Sequence, residues 1–273
     1  MTSAPRRALH DLTPPLVSRA LAKRSKHATR FLDGFDSWTA ATDAGTGYDH
    51  ESILAQVEQA TDAVVEGNAA FERDGVTFDA IEYRWPVAAA LMWQAARSGG
   101  SLRVVDFGGS LGSTYRQYGR LFTDLRVSWG VVEQAEFVAA GRRFEDGRLS
   151  FHDSVRACAD VLEPNVALFS SVLQYLTDPY AVIDDVAATG IQTIVIDRTP
   201  MTELSHDVPA VQVVPSSIYE ASYPCWLLSR ERLVTHLTGW DLIDTFPGIE
   251  PDMRTEGGTP VRWLGMTLTR KPS

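Results

Sequence analysis

Between residues 50 and 97 the apolar positions recur at helical spacing. Ile53, Val57, Ala60 and Val64 lie three or four apart and share one face of a helix that Asp49 or Ser52 is placed to cap. A second helix is expected to open at Pro86, run over 87–96 and stop at Gly99-Gly100. The stretch 31–47 is mixed, with Phe31, Phe35 and Trp38 as aromatic anchors.

After Gly100 the texture changes. Strand-like runs at 102–107, 126–133, 149–152, 165–171 and 191–197 alternate with helical runs at about 112–122, 134–143, 154–161 and 177–188. This alternation predicts βαβ units with right-handed crossovers on a parallel sheet, hence an α/β fold. The rhythm breaks at 198–228, a connection rich in Pro and Ser with three aromatics, Tyr219, Tyr223 and Trp226, inside eight residues. A connection of that length is expected to be a lid. A helix at about 229–238 and strands at 240–246 and 261–269 follow, with a hairpin loop over 248–260. The chain thus divides into a basic N-terminal arm (1–30), a helical cap (31–100) and an α/β domain (101–273) carrying the lid.

Composition narrows the function classes. With 273 residues and 44% hydrophobic content, the chain is long enough for one α/β domain plus an appendage. Cys158 and Cys225 form neither a ligand spacing nor a disulfide framework, which suits a reducing, cytoplasmic setting. No apolar run reaches the ~20 residues of a membrane span, and the N-terminus lacks a signal-peptide core. A net charge of -10 argues against nucleic acid as a partner. The charge is uneven: Arg6, Arg7, Arg19, Lys23, Arg24, Lys26 and Arg30 face only Asp11 in the first 30 residues. This arm is either a solvated terminus or a peripheral contact for a membrane surface or partner. No H-E-x-x-H, paired Cys or acidic ligand cluster points to a metal.

The chemistry concentrates in "VVDFGGSLG" (104–112). Read as G-x-S-x-G it is a nucleophile elbow with Ser110 attacking, but that elbow needs several strands before the serine and an oxyanion loop among them. The hundred residues before Ser110 read mainly as helix. Read as D-x-G-x-S-x-G it is a turn that seats a nucleoside-bearing cofactor, following the first strand of the sheet. Twenty-one residues after Gly112, the next strand ends in Glu133, an acid placed to accept both ribose hydroxyl protons.

This pair of motifs resembles class I S-adenosylmethionine-dependent methyltransferases over about residues 101–270. That likeness implies a Rossmann-like class I methyltransferase sheet, mostly parallel with an antiparallel last strand. "TGYDHESILAQV", "GNAAFERDGVTF", "VVEQAEFVAAGR", "LFSSVLQYLTDPY", "IVIDRTP" and "PSSIYEASYPCW" extend it to about 31–270. Together they resemble a family of bacterial methyltransferases whose members often accompany surface-polysaccharide genes. Ser110 departs from that family, which places Gly there.

The resemblance implies S-adenosylmethionine as cofactor and S-adenosylhomocysteine as product. Asp106, Gly108, Gly109 and Gly112 would line the methionine end. Glu133 would hold the ribose with Gln134 beside the adenine, and Asp153 and Ser154 would meet the adenine amino group. Ser170, Ser171 and Gln174 would lie near the sulfonium. Proton-removal candidates are His206 in the lid and Asp197 at the fifth strand's end. Arg198 is a candidate for orienting an anionic acceptor or for a salt bridge, and Tyr219, Tyr223 and Trp226 for an aromatic platform. Tyr83, Arg84 and Trp85 are placed to close over the cofactor. The expected substrate is a small polar acceptor, a glycan precursor or secondary metabolite. A serine hydrolase using Ser110 and a non-catalytic cofactor-binding accessory protein are the alternatives.

Overall fold

The structure is a computed structural model that describes residues 29–46, 50–214 and 221–272, with side chains throughout except at 50–52. Residues 1–28 of the basic arm, Asp49 and Tyr219 lie outside the described residues.

The alternating segment folds as a three-layer α/β/α unit. Its strands are β4 (Ser101–Phe107), β5 (Arg126–Val132), β6 (Leu149–His152), β7 (Val166–Ser170), β8 (Thr193–Thr202), β11 (Trp240–Pro247) and β13 (Pro260–Arg270). They lie in the order β6-β5-β4-β7-β8-β13-β11. Neighbours from β6 to β8 pair in parallel, whereas β13 runs antiparallel to both β8 and β11. This order, with its reversal between β4 and β7, is Rossmann-like and has the antiparallel last strand expected above.

Helices cover both faces because the strands are apolar on both faces. Val105, Phe169, Ile194 and Ile196 pack against α6 (Val155–Leu162), α7 (Pro179–Ala187) and α8 (Arg230–His236). Leu102, Val104, Trp129, Val131 and Val195 pack on the other side against α3 (Trp85–Arg97), α4 (Ser113–Tyr118) and α5 (Ala135–Gly141). Sequence-local caps set the helix starts: Ser154, Asp178 and Ser229 each accept a first-turn N–H, and Pro86 and Pro179 occupy first-turn positions.

Four expectations change. The stretch expected to be a helical cap contains α1 (Trp38–Ala44), α2 (His50–Val65) and α3, but also β1 (Arg30–Leu32) and a hairpin of β2 (Phe71–Arg73) and β3 (Val76–Phe78). Ser52 falls inside α2 and does not cap it. The stretch expected to be a lid, 198–228, is largely strand. The end of β8, β9 (Val208–Val213) and β10 (Ser222–Ser229) occupy it, and β1 adds to β9 antiparallel. The end of β8 leaves β7 and runs beside β10, with Met201 opposite Leu228. The expected 248–260 loop contains β12 (Met253–Arg254), which pairs with β13.

A bulge marks where β8 changes neighbours. Ile196 faces Met266 and Thr199 faces Leu264, so Asp197 and Arg198 together oppose Gly265. Arg198 has φ 51°. A bulge of this kind re-aims side chains at a sheet end, and here it turns two consecutive charged residues toward the same cleft.

Candidate active site

The cleft opens at the carboxyl ends of β4, β5, β7 and β8, where the strand order reverses. At the end of β4, Asp106 is 1% exposed and accepts a 3.0 Å hydrogen bond from Trp129 Nε1 at its Oδ2. Burial pushes its carboxyl up to about 7, the Trp129 bond opposes that rise, and the charge of Glu133 adds to it. The chain then turns through Gly108 (φ 71°), Ser110 (φ 55°) and Gly112 (φ 85°). A Cβ at Gly108 would collide with Val172, and one at Gly109 would lie 2.5 Å from the Asp106 carboxyl carbon. These glycines therefore let backbone and carboxylate share the same small space.

Glu133, just past β5, accepts from Ser110 N–H at 3.2 Å and Gln134 N–H at 2.9 Å. Burial raises its carboxyl above the ordinary range. Among the described residues, neither Asp106 nor Glu133 is ion-paired with Lys or Arg. Gln134, Asp153 and Ser154 are exposed at the same rim. Ser154 Oγ is engaged as the cap of α6 and donates to Asp153 Oδ1 at 3.2 Å.

The other half of the cleft is built from β7, β8 and their loops. Ser170 and Ser171 line it, and Ser171 N–H donates to Asp197 O at 3.0 Å. Gln174 is fully buried behind them; its Nε2 donates to Ser171 Oγ at 3.2 Å and its Oε1 has no partner. Asp197, 2% exposed, is gripped by Arg84, which donates to Oδ1 from Nη2 at 2.8 Å and to both oxygens from Nε at 3.3 Å. Arg198 donates from Nη2 to Asp74 at 2.7 Å and from Nε to Glu250 at 3.0 Å. Burial is the largest single influence and lowers its guanidinium's proton affinity, but the two carboxylates together hold it above its ordinary range. Tyr223 meets Tyr175 edge-on at 6.2 Å, and Tyr175 donates to Gln212 Oε1 at 2.9 Å. Trp263 also lines this wall, with a buried Nε1–H that has no partner.

Other expected site residues lie elsewhere. His206 is exposed on the turn between β8 and β9, away from the cleft, because β8 runs five residues past Asp197. Trp226 stacks on Trp38 at 5.2 Å and donates to Leu176 O at 3.1 Å, so its ring is used in packing. Gly112 serves as the left-handed residue before α4 and does not line the cleft. The hydrolase arrangement is not assembled. The glycine turn follows β4, the first of the parallel strands, and no described histidine is hydrogen-bonded to Ser110. His152 pairs with Ser150 Oγ at 2.9 Å and His236 with Asp184 at 2.8 Å.

The β2–β3 hairpin was missed entirely, yet Glu72, Arg73 and Asp74 line the cleft. Its signal was present in "FERDGVTF": an Asp-Gly turn, both residues at positive φ, between alternating aromatic and polar positions. Glu72 accepts from Ser113 Oγ at the start of α4, and Gln56 of α2 reaches Gly75 O at 3.4 Å.

The site therefore offers close-approach backbone, two carboxylates without cationic partners, and a polar, partly aromatic wall opposite them. A ligand with a diol and positive charge on one side and a small polar ring on the other fits that distribution. No family description matches the chain. No curated protein matches it in sequence. Among solved structures it is similar to a Burkholderia thailandensis 1,6-didemethyltoxoflavin-N1-methyltransferase bound to its substrate and S-adenosylhomocysteine (14% identity, 83% of this chain and 92% of that chain, TM-score 0.42). It is also similar to CalS10, an amino pentose methyltransferase from Micromonospora echinaspora with S-adenosylmethionine bound (12% identity, 70% and 92%, TM-score 0.44). A third likeness is to SpnF, a [4+2]-cyclase (12% identity, 81% and 95%, TM-score 0.44). The placement of this chain among Rossmann-like folds rests on its own strand order and not on these likenesses.

Proposed function

We propose that the protein is an S-adenosylmethionine-dependent methyltransferase acting on a small polar acceptor. The observation that carries this reading is the carboxylate pair, Asp106 and Glu133, flanking a glycine turn, neither of them ion-paired with Lys or Arg among the described residues. Burial raises both carboxyls, the charge of Glu133 adds to the rise at Asp106, and a ligand bearing positive charge and hydroxyl donors offsets that cost. Asp106, Gly108 and Gly109 would hold the amino-acid end of the cofactor, Glu133 the ribose, and Gln134 and Asp153 the adenine side. When bound, S-adenosylmethionine supplies a methyl carbon already activated by its sulfonium.

The protein's contribution is then mainly alignment and exclusion of water. Ser170, Ser171 and Asp197 bound the space at the ends of β7 and β8, and the hairpin residues close it from above. Asp197, held in place by Arg84, would accept a hydrogen bond from the acceptor's N–H or O–H and orient its lone pair, with the proton passing on to solvent. The Tyr175–Tyr223 wall favours a ring-shaped acceptor, a sugar-like glycan precursor or another secondary metabolite.

Calorimetric titration of S-adenosylmethionine and S-adenosylhomocysteine tests this reading. Saturable binding of both is expected, weakened about 10- to 100-fold by Glu133→Ala, as befits loss of charge-assisted hydrogen bonds. Absence of binding by either ligand would overturn it.

A further inference from the structure

Three arginines reach the acceptor half of the cleft, and two of them are neutralised. Arg84 is bound to Asp197, and Arg198 to Asp74 and Glu250. The third, Arg73, is different. It lines the cleft from β2, is partly buried, and its side chain has no hydrogen bond or ion pair among the described residues. Its guanidinium carbon lies 5.4 Å from the ring centres of both Phe71 and Phe78, which stack on each other at 4.5 Å. That stacking fixes the plane of the fork and leaves its N–H edge unspent. Burial, first, and the like charge of Arg198 lower its proton affinity; Asp74, Glu82 and Glu250 act the other way through space without pairing with it, and the lowering prevails.

The neighbouring charges locate it. Those acting on Arg73 are Arg198, Asp74, Glu82 and Glu250, and it acts in turn on Tyr118 together with Arg84 and Asp197. None belongs to the glycine turn, where the charges acting on Asp106 are limited to Glu133. Arg73 therefore stands on the β8–β11 side of the cleft, in the company of Arg198 and Glu250 and not of Asp106.

We infer that Arg73 is an anion-binding residue for the acceptor, and that the acceptor is a small ring compound carrying a carboxylate. This inference rests on the methyltransferase reading for the word acceptor, but the anion site itself does not. A planar guanidinium stacked on aromatic rings matches a carboxylate in a bidentate fashion. An anion there also eases the burial of Arg73 beside Arg198, a cost that Asp74, Glu82 and Glu250 offset only in part.

The test titrates benzoate, a ring carboxylate, into the full chain saturated with S-adenosylhomocysteine, comparing wild type, Arg73→Gln and Arg73→Lys. Saturable binding weakened tenfold or more in Arg73→Gln and partly retained in Arg73→Lys is expected. No benzoate binding, or equal binding to all three proteins, would overturn the inference. A second arm titrates S-adenosylhomocysteine and 5′-methylthioadenosine, which lacks the amino-acid end. Unchanged affinity of Arg73→Gln for both supports an acceptor site. Selective loss of S-adenosylhomocysteine would move the residue to the cofactor's carboxylate and overturn it. Should wild type bind neither nucleoside, the methyltransferase reading fails by itself, and benzoate titrated into the ligand-free protein still decides whether Arg73 binds an anion. Arg73→Lys keeps the charge and serves where Arg73→Gln fails to fold.

Discussion

A carboxyl group buried at a strand end with no cation beside it resists ionisation, and Asp106 is in that position. In the unfolded chain it titrates near ~3.9; in the fold its carboxyl stands at about 7. The folded state therefore holds a proton that the unfolded chain has lost between those values. The stability contributed by the protonated form is complete below about pH 4 and is lost as pH rises through ~7, by at most ~4 kcal/mol. Urea denaturation of Asp106→Asn should match wild type near pH 4 and exceed it at pH 8; parallel pH profiles would contradict this assignment. The glycines beside it are constrained by space. Gly109→Ala places a methyl against the Asp106 carboxyl, so S-adenosylhomocysteine affinity should drop at least tenfold, with stability lowered by ~1–3 kcal/mol.

The β2–β3 hairpin is a two-stranded element outside the main sheet, and such a unit is marginal without tethers. One tether is Asp74 on Arg198, a pair whose acidic partner is mostly exposed. Asp74→Ala should cost only ~0.2–1 kcal/mol and be felt locally. Amide exchange over 71–78 should quicken up to about fivefold while β4 is unchanged. The β9–β10 ribbon is held differently, by packing. Trp226 sits between Trp38 and the Leu176 carbonyl, so Trp226→Ala should destabilise by ~2–4 kcal/mol and leave S-adenosylhomocysteine affinity unchanged. A substrate platform would show the reverse, with binding lost and the unfolding midpoint kept.

Across the whole molecule, Arg84 joins the segment before α3 to the carboxyl edge of the sheet. It binds Asp197 on β8 and the Pro247 carbonyl at the end of β11. With side chains 16% and 2% exposed, the Arg84–Asp197 pair is largely desolvated. Arg84→Ala leaves Asp197 as an uncompensated buried charge and should cost ~3–5 kcal/mol. Guanidinium denaturation reads this as a lower midpoint with an unchanged slope. No helix among the described residues is long and apolar enough to cross a membrane.

How much of this was legible depends on the range of the forces involved. Residues 101–197 declare their elements locally, because the central strands are apolar on both faces and two of the helices open on side-chain caps, Ser154 and Asp178. Asp106, Glu133 and Ser170 were legible as strand ends, and in a parallel sheet every carboxyl end reaches the same edge. Asp197 was expected at the end of its strand and instead sits at the bulge of β8, which continues to Thr202. The strands β1, β9 and β10 were not legible. β1 has three residues, and Pro209 and Pro224 interrupt the others, so each exists through partners far along the chain, Phe31 opposite Gln212 and Cys225 opposite Ala210. Periodicity and turn chemistry, which act over a few residues, thus settled the sheet, its glycine turn and the acids around it. Only the tertiary structure decided which charges are already spent. Arg84 and Arg198 look alike in sequence to Arg73, and the bulge at β8, the placement of the hairpin and the Glu250 loop determine which guanidinium is left for a ligand.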